Sequence, residues 1–161
     1  MIGSQVPARP SGHPLTELLP SEPSPEPAPR RGVILVVDDS DDVRQGLAQL
    51  LELYGFLVAD AGTGAEALRH LAADPDGYAL ILLDLLLPGG ISGQDIRAHQ
   101  LADPTLAAIP TIVVTVCEVS DAERTILRPD AWIEKPYRFE ALLEVVRRYV
   151  VSEGSALQAD S

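Results

Sequence analysis

Ala79-Leu80-Ile81-Leu82-Leu83-Asp84-Leu85-Leu86-Leu87-Pro88-Gly89-Gly90 is the stretch on which the rest of the chain turns. Ala79–Leu83 is a short apolar run closed by turn residues, the pattern of a strand buried on both faces of a parallel sheet. Asp84 ends it. A carboxylate there is costly unless it lies at a mouth, is paired or holds a metal. An Asp shortly before Pro and Gly is also ordinary turn chemistry. What gathers around Asp84 must decide between these.

Outward from this run, strands and helices alternate. Val33–Val37 is a continuous β-branched run, again a buried strand. Val43, Leu47, Leu50, Leu51 and Tyr54 recur at helical spacing, and Gly55 stops that helix. Phe56–Ala59 reads as strand two. Thr63 with Glu66 predicts a capping box for a helix carrying Leu68 and Leu71. Asp74-Pro75-Asp76-Gly77 is a turn leading into Ala79–Leu83, strand three. A weaker helical segment, Gln94–Leu101, ends before Asp103-Pro104. Thr111–Thr115 is strand four, Ser120 with Glu123 caps a short helix four that stops before Pro129, and Ala131–Glu134 is strand five. Phe139, Leu142, Leu143, Val146 and Tyr149 line helix five. Five strands alternating with five helices predict an α/β fold with a doubly wound parallel sheet and right-handed crossovers.

Such folds bind ligands beyond the carboxyl ends of their strands. There stand Asp38-Asp39 after strand one, Asp84 after strand three, Thr115 ending strand four and Lys135-Pro136 after strand five. Three carboxylates held close repel unless protons or a cation intervene. Mg²⁺ takes oxygen ligands, keeps several waters and usually shares one or two carboxylates with a phosphate. Lys135 and Thr115 supply a charge and a donor for the remaining phosphoryl oxygens. The implied chemistry is phosphoryl transfer onto a carboxylate, with Asp84 as nucleophile. Lys135 is the sole lysine beside 11 arginines, as a rim needing one compact point charge would prefer.

Composition bounds the rest. The chain has 161 residues, 46% hydrophobic and 22% charged, enough for one domain with a real core. A net charge of −12 argues against nucleic acid and against an anionic membrane surface. No apolar run reaches the roughly 18 residues of a spanning helix, and no cationic-then-apolar leader opens the chain, so the expectation is cytoplasmic. Residues 1–31 hold eight of the 14 prolines and read as a disordered Pro-rich extension. The domain is expected over 32–151 and a flexible tail over 152–161. Cys117 is alone, so it forms no intrachain disulfide and reads as a small packed residue rather than a redox sensor.

With these residues in view, Gly32 to Val151 resembles a response-regulator receiver domain of two-component signalling. The resemblance rests on Val36-Val37-Asp38-Asp39, on Asp84-Leu85-Leu86-Leu87-Pro88-Gly89, on Thr115 and on Lys135-Pro136. It implies a flavodoxin-like strand order, 2-1-3-4-5. It implies that Asp84 accepts a phosphoryl group from a phosphohistidine on a sensor histidine kinase or histidine phosphotransfer protein. Asp39, Asp84 and the backbone carbonyl of Leu86 would ligate Mg²⁺, with Asp38 acting mostly through water. Thr115 would move toward the phosphoryl oxygens and Lys135 would pair with them. Trp132, in the family's aromatic position, would report to a docking face made by helix four, strand five and helix five. The Lys135-Pro136 bond would be cis. Such a domain is no enzyme beyond its own phosphorylation and dephosphorylation. With ten residues left after helix five, it is expected to act alone, by docking a downstream protein.

Four features depart from the family pattern. Val116 replaces a very small residue and could narrow access to Asp84. Leu86 offers no side chain to orient water, so slow loss of the phosphoryl group is expected. The loop from Asp84 to Gly93 is one residue longer than the commonest in the family, and the 20-residue span from Thr115 to Lys135 implies an abbreviated helix four.

Rival readings are weaker. Gly62-Thr63-Gly64-Ala65-Glu66-Ala67 fits a dinucleotide-binding G-x-G-x-x-A, with Asp84 at the matching distance. It would leave Asp38, Asp39, Thr115 and Lys135 without a role, and two glycines flanking a capping Thr63 explain it. An Asp-nucleophile phosphohydrolase would want a second Asp where Leu86 stands. A receiver-like interaction module that is never phosphorylated is the remaining alternative.

Overall fold

The computed structural model describes residues 29–116 and 118–152. The expectations for residues 1–28, 153–161 and Cys117 lie outside the described residues. Five parallel strands form one sheet: β1 Val33–Val37, β2 Leu57–Ala61, β3 Tyr78–Leu83, β4 Thr111–Thr115 and β5 Ala131–Glu134. Their order is β2-β1-β3-β4-β5, the flavodoxin-like arrangement. Described helices number six, one more than expected: α1 Asp41–Leu53, α2 Gly64–Ala73, α3 Gly93–Leu101, α4 Pro104–Ala107, α5 Asp121–Leu127 and α6 Phe139–Tyr149. The extra one, α4, is a single turn. Asp103 caps it by accepting from Thr105 N and Leu106 N, and Pro104 fills its first position.

The sheet is buried on both faces, and the period of two sorts its side chains. Ile34, Val36, Leu80 and Leu82 pack with Leu47 and Leu51 of α1 and Leu142, Leu143 and Val146 of α6. Leu35, Val37, Ile81 and Leu83 pack with Ala67 and Leu71 of α2 and Ile96 of α3. This is why β1 and β3 read as unbroken apolar runs. β2 lies at the sheet edge, and its Leu57 is 51% exposed. Phe56 precedes β2 and closes the end of α1. Its amide donates to Leu51 O (3.1 Å), while Gly55, at φ 88°, donates to Glu52 O (2.9 Å). These are the two bonds of a Schellman ending, whose left-handed position favours glycine.

Caps follow the sequence with one change. Ser120 and Glu123 close a full box at α5. Thr63 accepts from Glu66 N (3.1 Å), but the Glu66 carboxylate bonds Gly62 N (2.9 Å) instead of the cap residue's own amide. Ser92 and Asp95 form a box on α3 that sequence reading passed over. Helix four, now α5, is short, as its spacing implied: seven residues, ended by Arg128 at φ 43°. At the sheet's other end Arg30 pairs with Val150, and the Ser152 hydroxyl donates to Tyr54 O (2.9 Å).

Candidate functional site

The ladder itself delivers the site residues. Asp38 N donates to Ala61 O (3.2 Å), Asp84 N to Val37 O (3.0 Å) and Lys135 N to Thr115 O (3.0 Å). Each residue is therefore a last rung, held by a neighbouring strand as the chain leaves the sheet. Their side chains meet at one rim. Lys135 Nζ donates to Asp38 Oδ2 (2.7 Å) and to Asp84 Oδ2 (3.0 Å). The other oxygen of each carboxylate takes a backbone amide, Asp38 Oδ1 from Ser40 N (2.9 Å) and Asp84 Oδ1 from Leu86 N (3.0 Å). Asp38 and Asp84 are each 6% exposed, whereas Asp39 faces solvent. Thr115 is fully buried at the end of β4. The Lys135-Pro136 bond is cis.

Glycine at position 93 lets α3 start close under this rim. A Cβ there would lie 2.5 Å from Asp84 O and from Leu85 Cα, too close for any other residue without moving the end of β3. Gly64 has a comparable reason, since its Cβ would meet Ile91 at 2.6 Å. The apparent dinucleotide glycines are thus accounted for by packing and capping.

Burial raises the Asp84 carboxyl above its ordinary value, against the lowering effect of the Leu86 amide and of Lys135. Burial pulls the Lys135 ammonium down, but hydrogen bonds to Asp38 and Asp84 outweigh it and its pKa is raised. Lys135 therefore stays cationic at neutral pH. Carboxylate oxygens of Asp38, Asp39 and Asp84 all lie within 4.8 Å of one another. Three carboxylates against one ammonium leave a surplus of negative charge among hard oxygen donors. That donor set fits a small divalent cation such as Mg²⁺.

Trp132 is half-buried with Leu85, Val113, Leu127 and Val119, beneath α5. The Arg124 guanidinium lies 4.7 Å from its ring centroid. Leu86 is 50% exposed, and Val116, 63% exposed, lines a groove with Lys135, Pro136 and residues of α1.

Sequence reading missed two buried arginines. Arg44, on α1, donates to Asp38 O (2.8 Å), Asp60 Oδ2 (2.7 Å) and Asp41 Oδ1 (2.6 Å). Arg97, on α3, donates to Leu127 O (2.7 Å), Arg128 O (2.5 Å), Gln100 Oε1 (2.8 Å) and Thr111 Oγ1 (2.9 Å).

The family model described as the response regulator receiver domain matches residues 34–147. The chain belongs to this family. It is a signalling domain of the two-component type. It is 32% identical over 117 residues to the sensory transduction protein RegX3 of Mycolicibacterium smegmatis, covering 71% of this chain and 48% of that one. It is 35% identical over 118 residues to the response regulator MprA of Mycobacterium ulcerans, again 71% and 48%. The receiver chain thus spans about half the length of these relatives. Among solved structures, the chemotaxis protein CheY4 of Vibrio cholerae superposes with a TM-score of 0.66 at 25% identity, over 75% of this chain and all of that one. The response regulator TrrA of Thermotoga maritima, solved in complex with Mg²⁺-BeF, gives 0.63 at 28% identity, over 73% and 97%. No helix among the described residues is long and apolar enough to cross a membrane.

Proposed function

We propose that Asp84 takes a phosphoryl group from a phosphohistidine of a partner kinase or phosphotransfer protein, with Mg²⁺ at the Asp38–Asp39–Asp84 rim. The observation that carries this reading is the placement of Lys135 Nζ against Asp38 and Asp84, with Asp39 alongside. In the step, an Asp84 oxygen forms the new O–P bond as the donor's N–P bond breaks. The departing imidazole nitrogen keeps the electron pair. Mg²⁺ would be held by Asp39, Asp84 and the Leu86 carbonyl, with Asp38 through water, and would neutralise the phosphoryl oxygens. Lys135 offers the transferred group a fixed positive charge, and Thr115 a hydroxyl from the end of β4. TrrA, a relative in fold, holds Mg²⁺-BeF.

Phosphorylation deepens negative charge where Lys135 and Thr115 can answer it. It thereby biases an equilibrium of α5, β5 and α6, through Trp132, for a docking partner. The test is incubation with acetyl phosphate and Mg²⁺, with the adduct read by intact mass. A single acid-stable, base-labile phosphoryl adduct, absent from Asp84→Asn, is expected. An adduct that survives in Asp84→Asn removes Asp84 from the role.

A further inference from the structure

Arg44 is a cation only 9% exposed, one turn into α1, and it belongs to none of the roles assigned above. Its three nitrogens point to three different parts of the fold. Nη1 donates to the Asp38 carbonyl, Nη2 to the Asp41 carboxylate in the first turn of α1, and Nε to Asp60 near the end of β2. A lysine could not span these acceptors, because the planar fork is what reaches all of them at once. The hydrogen bond with Asp60 chiefly, then those with Asp41, raise the Arg44 pKa against burial, so the charge is permanent.

The Asp38 carbonyl is the informative partner. It belongs to the peptide unit joining Asp38 to Asp39, and that unit is planar. Anchoring its oxygen fixes the plane, and with it the directions in which both carboxylates leave the backbone. The anchor is itself braced against β2, an edge strand whose sheet contact is with β1 alone. Gly62 completes the arrangement. A Cβ at Gly62 would lie 2.9 Å from Arg44 Nη1, the nitrogen that bonds Asp38 O. The flexible side-chain head would have to yield before the backbone did.

We propose that Arg44 is a positioning residue that sets the affinity of the rim for Mg²⁺, by clamping the Asp38–Asp39 peptide against the end of β2. The inference rests on the phosphoacceptor reading, since it needs those carboxylates to hold the ion. Groups that orient metal ligands typically govern affinity by about 10- to 100-fold. A role confined to packing α1 on β2 would lower stability and leave the affinity of the folded protein unchanged.

The experiment titrates Mg²⁺ calorimetrically into the full chain, its Arg44→Met variant and its Gly62→Ala variant. Thermal melts confirm folding, and acetyl phosphate labelling is followed across Mg²⁺ concentrations. Both variants are expected to bind Mg²⁺ about tenfold more weakly or worse. Their labelling rate at saturating Mg²⁺ should stay within about twofold of the parent, as expected when metal binding and not the transfer step is lost. Gly62→Ala keeps the arginine and decides the matter if Arg44→Met does not fold. Unchanged affinity in the folded variants overturns the clamp while leaving the phosphoacceptor reading intact. A labelling rate that stays low at saturating Mg²⁺ overturns it too, since Arg44 would then act on the transfer itself. If the parent chain binds no Mg²⁺, the phosphoacceptor reading falls and the clamp with it.

Discussion

Lys135 Nζ stands 3.0 Å from Asp84 Oδ2, on a side chain that also reaches Asp38. The ammonium therefore occupies the same electrostatic well that a divalent cation would share. Its removal has two opposed consequences. In Lys135→Met the three carboxylates lose the ammonium that pairs with Asp38 and Asp84, so Mg²⁺ should bind several-fold more tightly. The charge that meets the incoming phosphoryl oxygens is lost, so labelling of Asp84 by acetyl phosphate should fall by about 100-fold or more, the scale of removing one preorganised charge-stabilising donor. Calorimetry and intact mass on one preparation read both. Weaker Mg²⁺ binding would show that Lys135 supports the metal and does not compete with it.

Leu86 lies two residues beyond Asp84. Its amide binds Asp84 Oδ1, and its half-exposed side chain carries no polar atom. Water reaching the acyl phosphate finds nothing there to orient it. Leu86→Gln places an amide at the same point, and positioned assistance of that kind is worth about 100- to 10,000-fold where it works well. An exposed, unoptimised amide should fall short of that range and shorten the lifetime of the adduct by roughly tenfold. Lifetimes follow from intact mass after removal of acetyl phosphate. A parent adduct lost within seconds, with no phosphatase present, would contradict the account.

Tyr78 opens β3 at the end of the sheet opposite the rim, and its hydroxyl lies 3.1 Å from His70 Nδ1. Burial, then the nearby Asp74 charge, raises its pKa above the ordinary phenol value. The sign follows from linkage. A group whose folded pKa is raised gives its full stability below the unfolded pKa, and loses it as pH rises through the folded value. The parent chain should therefore weaken above about pH 10, the free-phenol value. Tyr78→Phe should flatten that alkaline decline and remove one late-ionising phenol from the absorbance titration. Urea unfolding at neutral and alkaline pH measures the difference, and identical alkaline slopes would rule it out.

Much of this was legible because the relevant signals are local. β1, β4 and β5 begin and end as expected: Asp38 follows β1, Pro110 precedes β4, and Asp130 and Lys135 flank β5. The edge strand β2 was misjudged. Phe56 is apolar because it seals the end of α1, while Leu57 and Asp60, within the strand, face solvent. The Ser92–Asp95 box and the Asp103-Pro104 start of α4 were equally local and could have been read, as S-x-x-D and as a cap followed by proline. Arg44 and Arg97 could not. Helical periodicity assigns charged residues to the outer face, and only partners brought together by the fold make their burial tolerable. The rim residues were found by another route, since a strand's end is predictable and the topology collects such ends at one edge.

Arg97 shows what that hidden class of residue does for α5. It is 3% exposed, and its donors go to the Leu127 and Arg128 carbonyls at the end of α5, to Gln100 and to Thr111 at the start of β4. Gln100 in turn donates to Leu106 O and Ile109 O. The C-terminal end of α5 is thereby tied to α3 and to the foot of β4. Its other end has the Ser120–Glu123 box and, through Arg124, a contact with the Trp132 ring. Replacing Arg97 by Met removes the buried cation and leaves the two α5 carbonyls without that donor. Leaving a buried acceptor without its donor costs about 1–3 kcal/mol. Urea unfolding should show a loss of that size, and amides of 121–128 should exchange faster than those of β1 and β3. Asp84 lies outside this network, so the variant should still form the phosphoryl adduct under native conditions. The sole tryptophan, Trp132, should change emission even before phosphorylation, because the helix above it has lost one anchor. Unaltered exchange across α5 would mean that its short helix is held by its N-terminal box and apolar contacts alone.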